Sequence, residues 1–572
     1  MTQTLGTPIR TSAAADSQWT KCSNCGAFVY QKRLVRNLRV CPECSYHFRL
    51  SARERLLQLL DEASVDGVST TADTIDALRF VDLKPYATRL ADAQRQTGSR
   101  EAAVYGAATV GGLPVVVAAV DFAFMGGSMG SAVGEAITRA AELALSTRTP
   151  LLVISASGGA RMQEGCVSLM QMAKTSQAVA RLHEEGILFI SLLMDPTYGG
   201  VTASYAVLGD LLISEPGALI GFAGRKVIEQ TIRQKLPDAF QTSGFLMDHG
   251  MLDLVVPRET MRHVLRKLLM LHQRSESPGL PRADGQAPIS DPAGLRSTPA
   301  WDIVELARNL ERPNTLEYIG YIFDDFEEFH GDRLYRDDPA IVGGLARLGD
   351  LTVMIIGHQK GHTTSEMVAR NFGMANPEGY RKALRLMRYA AKFGMPIVTL
   401  VDTPGAYPGL GAEERGQSIA IAQAIMEMAR LPVPIVTVVT GEGGSGGALG
   451  LAVGDRVLMM QNAYYSVITP EGCSVILWKS AADAPKAAVA LHVTARDLLQ
   501  LSVVDAVVPE PEGGAHLDPP VAAANLKSAI VASLADLLPR SRAELLEGRY
   551  ARFRRFGTPG QQPVLPEMEG AL

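Results

Sequence analysis

The chain repeats itself, and that limits what it can fold into more than any single motif does. Asp195 to Gly224 reads DPTYGGVTASYAVLGDLLISEPGALIGFAG, and Gly441 to Gly472 reads GEGGSGGALGLAVGDRVLMMQNAYYSVITPEG. Both run glycine turn, small-residue helix, Gly-Asp, strand, Ala, strand, glycine. Upstream, Val110 to Phe122 (VGGLPVVVAAVDF) echoes Leu348 to Lys360 (LGDLTVMIIGHQK). Between them, Pro150 to Gly165 (PLLVISASGGARMQEG) echoes Pro396 to Gly405 (PIVTLVDTPG). The copies lie about 240 residues apart, so two like units in tandem are the architecture. At 572 residues the chain has room for two or three domains.

Within each unit a buried strand runs into a glycine turn. Leu151 to Ile154 is apolar; Gly158 and Gly159 follow; then Met162, Cys166, Leu169, Met170 and Ala173 take helical spacing. A strand that turns through Gly-Gly into a helix leaves backbone N–H groups unpaired. The helix dipole adds partial positive charge there, and glycine lets a ligand come close. Together these hold an oxyanion without committing a side chain to it. Phe124 to Ser131 (FMGGSMGS) is a further glycine-rich turn, leading into a helix predicted over Ala132 to Ser146.

Ahead of the first unit stand Cys22-x2-Cys25 and, fifteen residues on, Cys41-x2-Cys44. This spacing predicts a zinc ribbon with four thiolates around one Zn2+. A closed site of that kind has no open position, so the metal is structural. Eight Lys/Arg (Lys21, Lys32, Arg33, Arg36, Arg39, Arg49, Arg53, Arg55) against Glu43 and Glu54 make this region basic. It reads as a solvated face, a cap over ligand phosphates, or a nucleic-acid contact. The whole chain, at net charge −5, argues against wholesale nucleic-acid binding.

The predicted order is a disordered N-terminus (1–18), the ribbon (19–50), a first unit (51–274), a linker (275–300), a second unit (301–556) and a tail (557–572). The linker carries five prolines and three glycines in 26 residues without apolar periodicity. Ala102 to Val120 is uncharged and long enough for a membrane span, but Gly111-Gly112 and Pro114 make it a strand, turn and strand. The start lacks the apolar stretch of a signal peptide. Six cysteines, four of them clustered, do not suit a secreted disulfide scaffold. A cytoplasmic protein is expected.

Two enzyme motifs compete with the oxyanion reading. Gly441-x-Gly443-x-x-Gly446 matches a dinucleotide fingerprint, but no acidic residue closes the next strand to hold a ribose. Gly443-x-Ser445-x-Gly447 matches a nucleophile elbow, with Asp505 and His516 following in hydrolase order. Gly126-x-Ser128-x-Gly130 matches as well, so the pattern is cheap in a chain with 54 glycines. No metal-binding histidine pair and no buried carboxylate pair is legible. Backbone donors without a general base suggest that a substrate or cofactor supplies the base.

Residues 18 to 273 resemble the β subunit of bacterial acetyl-CoA carboxylase carboxyltransferase, through the ribbon, FAFMGGSMGS, SASGGARMQEG, SLMQMAKTS and LIGFAG. Residues 301 to about 556 resemble its α subunit, through GDRLYRDDPAIVGG, MIIGHQKG, NFGM, PEGYRKALRLM, DTPGAYPGLGAEERGQ, GEGGSGGALG and TPEGCSVILWKS. The resemblance implies an α/β chain of two crotonase-like ββα-spiral domains behind the ribbon. It implies transfer of a carboxyl group from carboxybiotin, on a separate biotin carboxyl carrier protein, to acetyl-CoA, giving malonyl-CoA for fatty acid biosynthesis. Two oxyanions then need holes: the acyl-CoA enolate near Gly158 and Gly159, and the biotin ureido oxyanion near Gly446, Gly447 and Ala448. Gly126, Gly127, Gly199, Gly200 and Gly405 are the implied substrate contacts. Arg225-Lys226 stands where β chains usually have Pro-Arg after FAG, and the helical extension common in α subunits is replaced by the linker. No biotinyl-lysine motif AMKM and no biotin carboxylase module is legible, so a carrier and a biotin carboxylase are expected partners. A homodimer with active sites shared between chains, and no membrane, completes the expectation. A propionyl-CoA-type carboxyltransferase and a zinc-ribbon nucleic-acid-binding protein are the alternatives.

Overall fold

The computed structural model describes residues 18–69, 73–273 and 279–565. The expected disordered N-terminus lies outside them except for residue 18, as does the tail beyond 565. The chain divides into two compact units, Met1–His272 and Gln273–Leu572.

The first unit opens with the ribbon, a hairpin of β1 (Trp19–Lys21) and β2 (Phe28–Tyr30). Helices Ala52–Leu59 and Tyr86–Thr97 lead to the sheet. Its strands are β3 (Ala103–Val110), β4 (Leu113–Val120), β5 (Leu151–Ser157), β6 (Phe189–Tyr198), β7 (Leu211–Ser214), β8 (Ile220–Gly221) and β9 (Leu254–Val255). The sheet order is β3-β4-β5-β6-β7-β9, with β8 beside β6. β3 and β4 form the hairpin read from Ala102 to Val120; every later pairing is parallel. Parallel strands covered on both faces read as unbroken apolar runs, and all of β5 is buried. Helix Ser131–Thr147 packs its Ala132, Ala136, Ala140, Ala141 and Ala144 inward. An added Cβ on its Gly134 would stand 2.2 Å from Gln171 Oε1, so only glycine lets helix Gly165–Glu184 come this close.

The second unit repeats this plan. Its strands are β10 (Asp324–Glu328), β11 (Ile341–Leu348), β12 (Leu351–His358), β13 (Ile397–Thr403), β14 (Ile435–Gly444), β15 (Arg456–Met460), β16 (Tyr464–Ser466) and β17 (Ala506–Val508). The order is β10-β11-β12-β13-β14-β15-β17, with β16 beside β14. The β11–β12 hairpin answers to β3–β4, and β10 is an added edge strand. The described part of the proline-rich stretch lies along this unit: Ile289 and Val507 exchange backbone hydrogen bonds of 2.8 Å. The helical end predicted over Ala522 to Phe556 is two helices, Pro519–Leu537 and Arg542–Arg554, bent by 117°. Among the described residues no single helix is long and apolar enough to cross a membrane.

Candidate active site

The parallel strands β5 and β6 of the first unit, and β13 and β14 of the second, end in the turns that the sequence singles out. Their registers fix the correspondence: Ser157 pairs with Thr197, and Thr403 with Gly443. Gly159, at φ 118°, donates its N–H to Ser157 Oγ at 3.1 Å; Gly405, at φ 154°, donates to Thr403 Oγ1 at 3.1 Å. Gly199 and Ser445 begin the second turn of each unit at φ 63° and 54°. The two turns of a unit touch. An added Cβ on Gly159 would stand 3.3 Å from Gly199 Cα, and one on Gly447 would stand 2.3 Å from Ala406 N.

The N–H groups of Gly158 and Gly159 are both spent: Gly158 donates to Gly126 O at 2.8 Å. The helix dipole does not act at this turn either. Helix Gly165–Glu184 starts only after a one-turn 3-10 helix over Met162–Glu164, so the turn is not its N-terminus. The cause is Arg161, whose fully buried guanidinium meets Glu101 at 2.6 Å and Ser128 O at 2.9 Å. Arg161 N in turn donates to Met129 O at 3.0 Å, tying the 158–161 turn to the 125–129 turn. At these turns, among the described residues, the N–H groups left without a partner are those of Ala160 and Gly200 in the first unit. In the second they are Ala406, Gly446 and Gly447. Ala448 is buried inside the short helix Ser445–Leu449. Each unit therefore carries a complete pair of turns with free donors.

A carboxylate pair that the sequence did not show lies under the second unit's turns. Lys360, Asp402 and Glu442 end, or follow, the neighbouring strands β12, β13 and β14. Lys360 Nζ reaches Asp402 Oδ1 and Glu442 Oε1, each at 2.7 Å. Burial alone would raise the Glu442 carboxyl; the charge and hydrogen bond of Lys360 and the Tyr464 hydroxyl hold it at about 2 instead. Arg308 adds a second cation, 2.8 Å from Glu442, so both carboxylates are held in ion pairs and the cluster braces the turns without offering a free base. The one legible signal was a charged residue breaking into each apolar strand end.

The nucleophile-elbow reading gains a left-handed, exposed Ser445 but no partner for it: no hydrogen bond reaches its hydroxyl among the described residues. Asp505 is occupied by Arg552 and the Val457 N–H. Because Gly199 takes the same backbone conformation, positive φ belongs to the turn and not to a nucleophile.

In the ribbon, Cys22 and Cys44 Sγ lie 3.7 Å apart, Cys25 and Cys41 Sγ 3.9 Å, and all four sulfurs fall within 4.8 Å of one another. Four thiolates at a Zn–S distance of about 2.3 Å on a tetrahedron stand about 3.8 Å apart, so the set fits zinc. Each Cys-x2-Cys closes in the same turn, Gly26 N to Cys22 O and Ser45 N to Cys41 O, both 2.9 Å. The ribbon is held to the body of its unit by Arg258, which donates to Leu38 O at 2.8 Å and Phe48 O at 2.9 Å. Arg258 and Arg55 share the buried Glu215.

A transcarboxylase 12S, solved as a hexamer, matches with a TM-score of 0.69 at 23% identity, covering 86% of this chain and 90% of that one. A single-chain, multi-domain long-chain acyl-CoA carboxylase matches at 0.63 and 21%, covering 84% and 45%. At such identities the likeness is one of fold. The family description "acetyl co-enzyme A carboxylase carboxyltransferase-like" matches residues 295–557, and "acetyl-CoA carboxylase zinc finger domain" matches 19–44. The acetyl-coenzyme A carboxylase carboxyl transferase subunits beta/alpha of Saccharopolyspora erythraea is 54% identical over 97% of this chain and 98% of its own length. That of Clostridium tetani is 45% identical over 95% and 93%. The chain belongs to the acetyl-CoA carboxylase carboxyl transferase family, with its beta and alpha parts in one polypeptide.

Proposed function

We propose that the chain transfers a carboxyl group from carboxybiotin, carried on a separate protein, to acetyl-CoA, giving malonyl-CoA. The observation that supports this best is the pair of free-donor turns, one in each unit, where the carboxylates nearby are held in ion pairs. Carboxybiotin supplies the carboxyl group and, once that has left, the base that takes the methyl proton. The chain's own task is then to hold two oxygens as they gain charge. In the first unit Ala160 and Gly200 direct their N–H groups at the thioester oxygen, beside Gly158 and Gly159. In the second unit Ala406, Gly446 and Gly447 do the same for the ureido oxygen. Each donor contributes about 3 kcal/mol to such a transition state. Gly127 and Gly199 let the turns pack closely, while Gly126 and Gly405 leave open space that lets the substrate approach.

The two oxygens belong to reactants that must meet, so a first-unit turn has to face a second-unit turn. We infer that this happens between two copies of the chain, as closed two-fold pairs are the commonest assemblies. Apolar side chains left exposed around both turns support the pairing: Met162 (80%) and Phe222 (74%) in the first unit, Leu410 (77%) and Val467 (74%) in the second. The zinc ribbon keeps its structural role, in a cytoplasmic enzyme.

The test is carrier dependence. The purified chain should give no streptavidin signal. It should form malonyl-CoA only when a biotin carboxyl carrier, biotin carboxylase, ATP and bicarbonate are added. Biotin bound to the chain itself, or no product with all components present, contradicts the proposal.

A further inference from the structure

The two units share their site turns, and one of these turns differs between them in its side chains. Met125, Gly126 and Gly127 take φ of 47°, 69° and 61°; Asn371, Phe372 and Gly373 take 46°, 55° and 74°. The last glycine is required in both. An added Cβ would stand 2.1 Å from Ala156 O at Gly127, and 3.0 Å from Asp402 O at Gly373. The middle position differs. At Gly126 an added Cβ would meet nothing within 4 Å. Phe372 puts a bulky ring on a left-handed backbone, a conformation such residues rarely hold. Strain of that kind persists where the surroundings demand the side chain.

The partner position changes with it. Gly158 donates its N–H to Gly126 O. Pro404, which stands in the matching place before Gly405, has no N–H to give. The neighbouring cavities differ accordingly. In the first unit a 510 Å³ cavity is lined by Gly126 and Gly158 and reaches Ala160, the residue with the free donor. In the second unit the corresponding space is 190 Å³, lined by Phe372 and Pro404, and neither Gly405 nor Ala406 borders it.

We propose that Phe372 and Pro404 are specificity-determining residues that close the second unit's turn to coenzyme A thioesters. Gly126 and Gly158 leave the first unit's turn open to a substrate on a long arm. Two like units are thereby assigned to two different carbonyl groups by two side chains. This rests on the reading that the first unit takes the thioester.

The test uses the full chain in the reverse direction, malonyl-CoA with free biotin as acceptor, and free CoA as inhibitor. In the wild type CoA should compete with malonyl-CoA and not with biotin. In a Phe372→Gly/Pro404→Gly variant CoA should also become competitive against biotin, its inhibition constant on that side falling about five-fold or more. Phe372→Asn, which suits the left-handed turn, serves if the double variant does not fold. An inhibition pattern unchanged from wild type in a folded variant overturns the proposal. Gly126→Phe checks the underlying reading. It should raise the malonyl-CoA KM about ten-fold and leave the biotin KM alone. A rise in the biotin KM instead overturns that reading, and no change in either KM overturns the role of the cavity.

Discussion

Ser445 shows how one residue can look catalytic and be architectural. It stands at φ 54° on an exposed strand-to-helix turn, as a nucleophile would, but the first unit puts Gly199 there at φ 63°. Glycine takes this conformation without steric penalty. Ser445→Gly should therefore raise stability by about 0.5–1 kcal/mol and keep carboxyl transfer. Denaturant melts and a turnover assay check this; complete loss of activity in a folded variant would return Ser445 to the chemistry. The glycines of the site were legible because their spacing recurs in both units. The donors were not. Which N–H stays free depends on a long-range bond, Gly158 to Gly126, and a local one, Gly159 to Ser157, so the turn had to be folded before Ala160 emerged. Lys360, Asp402 and Glu442 were hidden for a similar reason, since only the sheet order brings three strand ends together.

At the scale of elements, the ribbon rests on two supports. The first is the metal. One zinc per chain is expected by metal analysis, and Cys22→Ser with Cys44→Ser should lose both zinc and the ribbon's protection from proteolysis. An intact ribbon in that variant contradicts the four-thiolate site. The second is Glu215, clasped by Arg55 and Arg258. Burial alone would raise its carboxyl; the Arg258 hydrogen bond and the charge of Arg55 more than reverse that and hold it at about 2, below the ordinary 4.5. A carboxyl depressed by folding stabilises above its unfolded pKa and loses the contribution as pH falls through the folded one. Glu215→Gln should thus cost about 3 kcal/mol at pH 7, with the gap to wild type closing as pH drops from about 4.5 to about 2. Urea titrations of both proteins across that range check it; a gap independent of pH contradicts it. The strands themselves were legible as unbroken apolar runs. The delayed start of helix Gly165–Glu184 was not, because the apolar spacing continues through Met162 while the buried Arg161 holds the chain off the helix.

For the whole molecule, internal repetition predicted two units and the structure divides at Gln273. Residue spacing could not say how copies pair, since a linker of that length permits pairing within or between chains. Mixing decides. Gly200→Pro removes a free donor, and Gly447→Ala drives a Cβ against Ala406 N. Each variant alone should be inactive. Co-expressed, they should restore about a quarter of wild-type activity if sites are shared between chains, because half the dimers are mixed and one site in each escapes both defects. A mixture as inactive as its parents, with mixed dimers present, contradicts the shared site.

The most direct test of the central claim is the biotin-dependent loss of the carboxyl group from malonyl-CoA by the purified chain, run beside methylmalonyl-CoA. The expected result is acetyl-CoA formed only when free biotin is present, with malonyl-CoA preferred and the rate cut about 100-fold or more in Gly200→Pro. Acetyl-CoA formed at the same rate without biotin, or an undiminished rate in a folded Gly200→Pro variant, would contradict a carboxyl transfer held by these backbone donors.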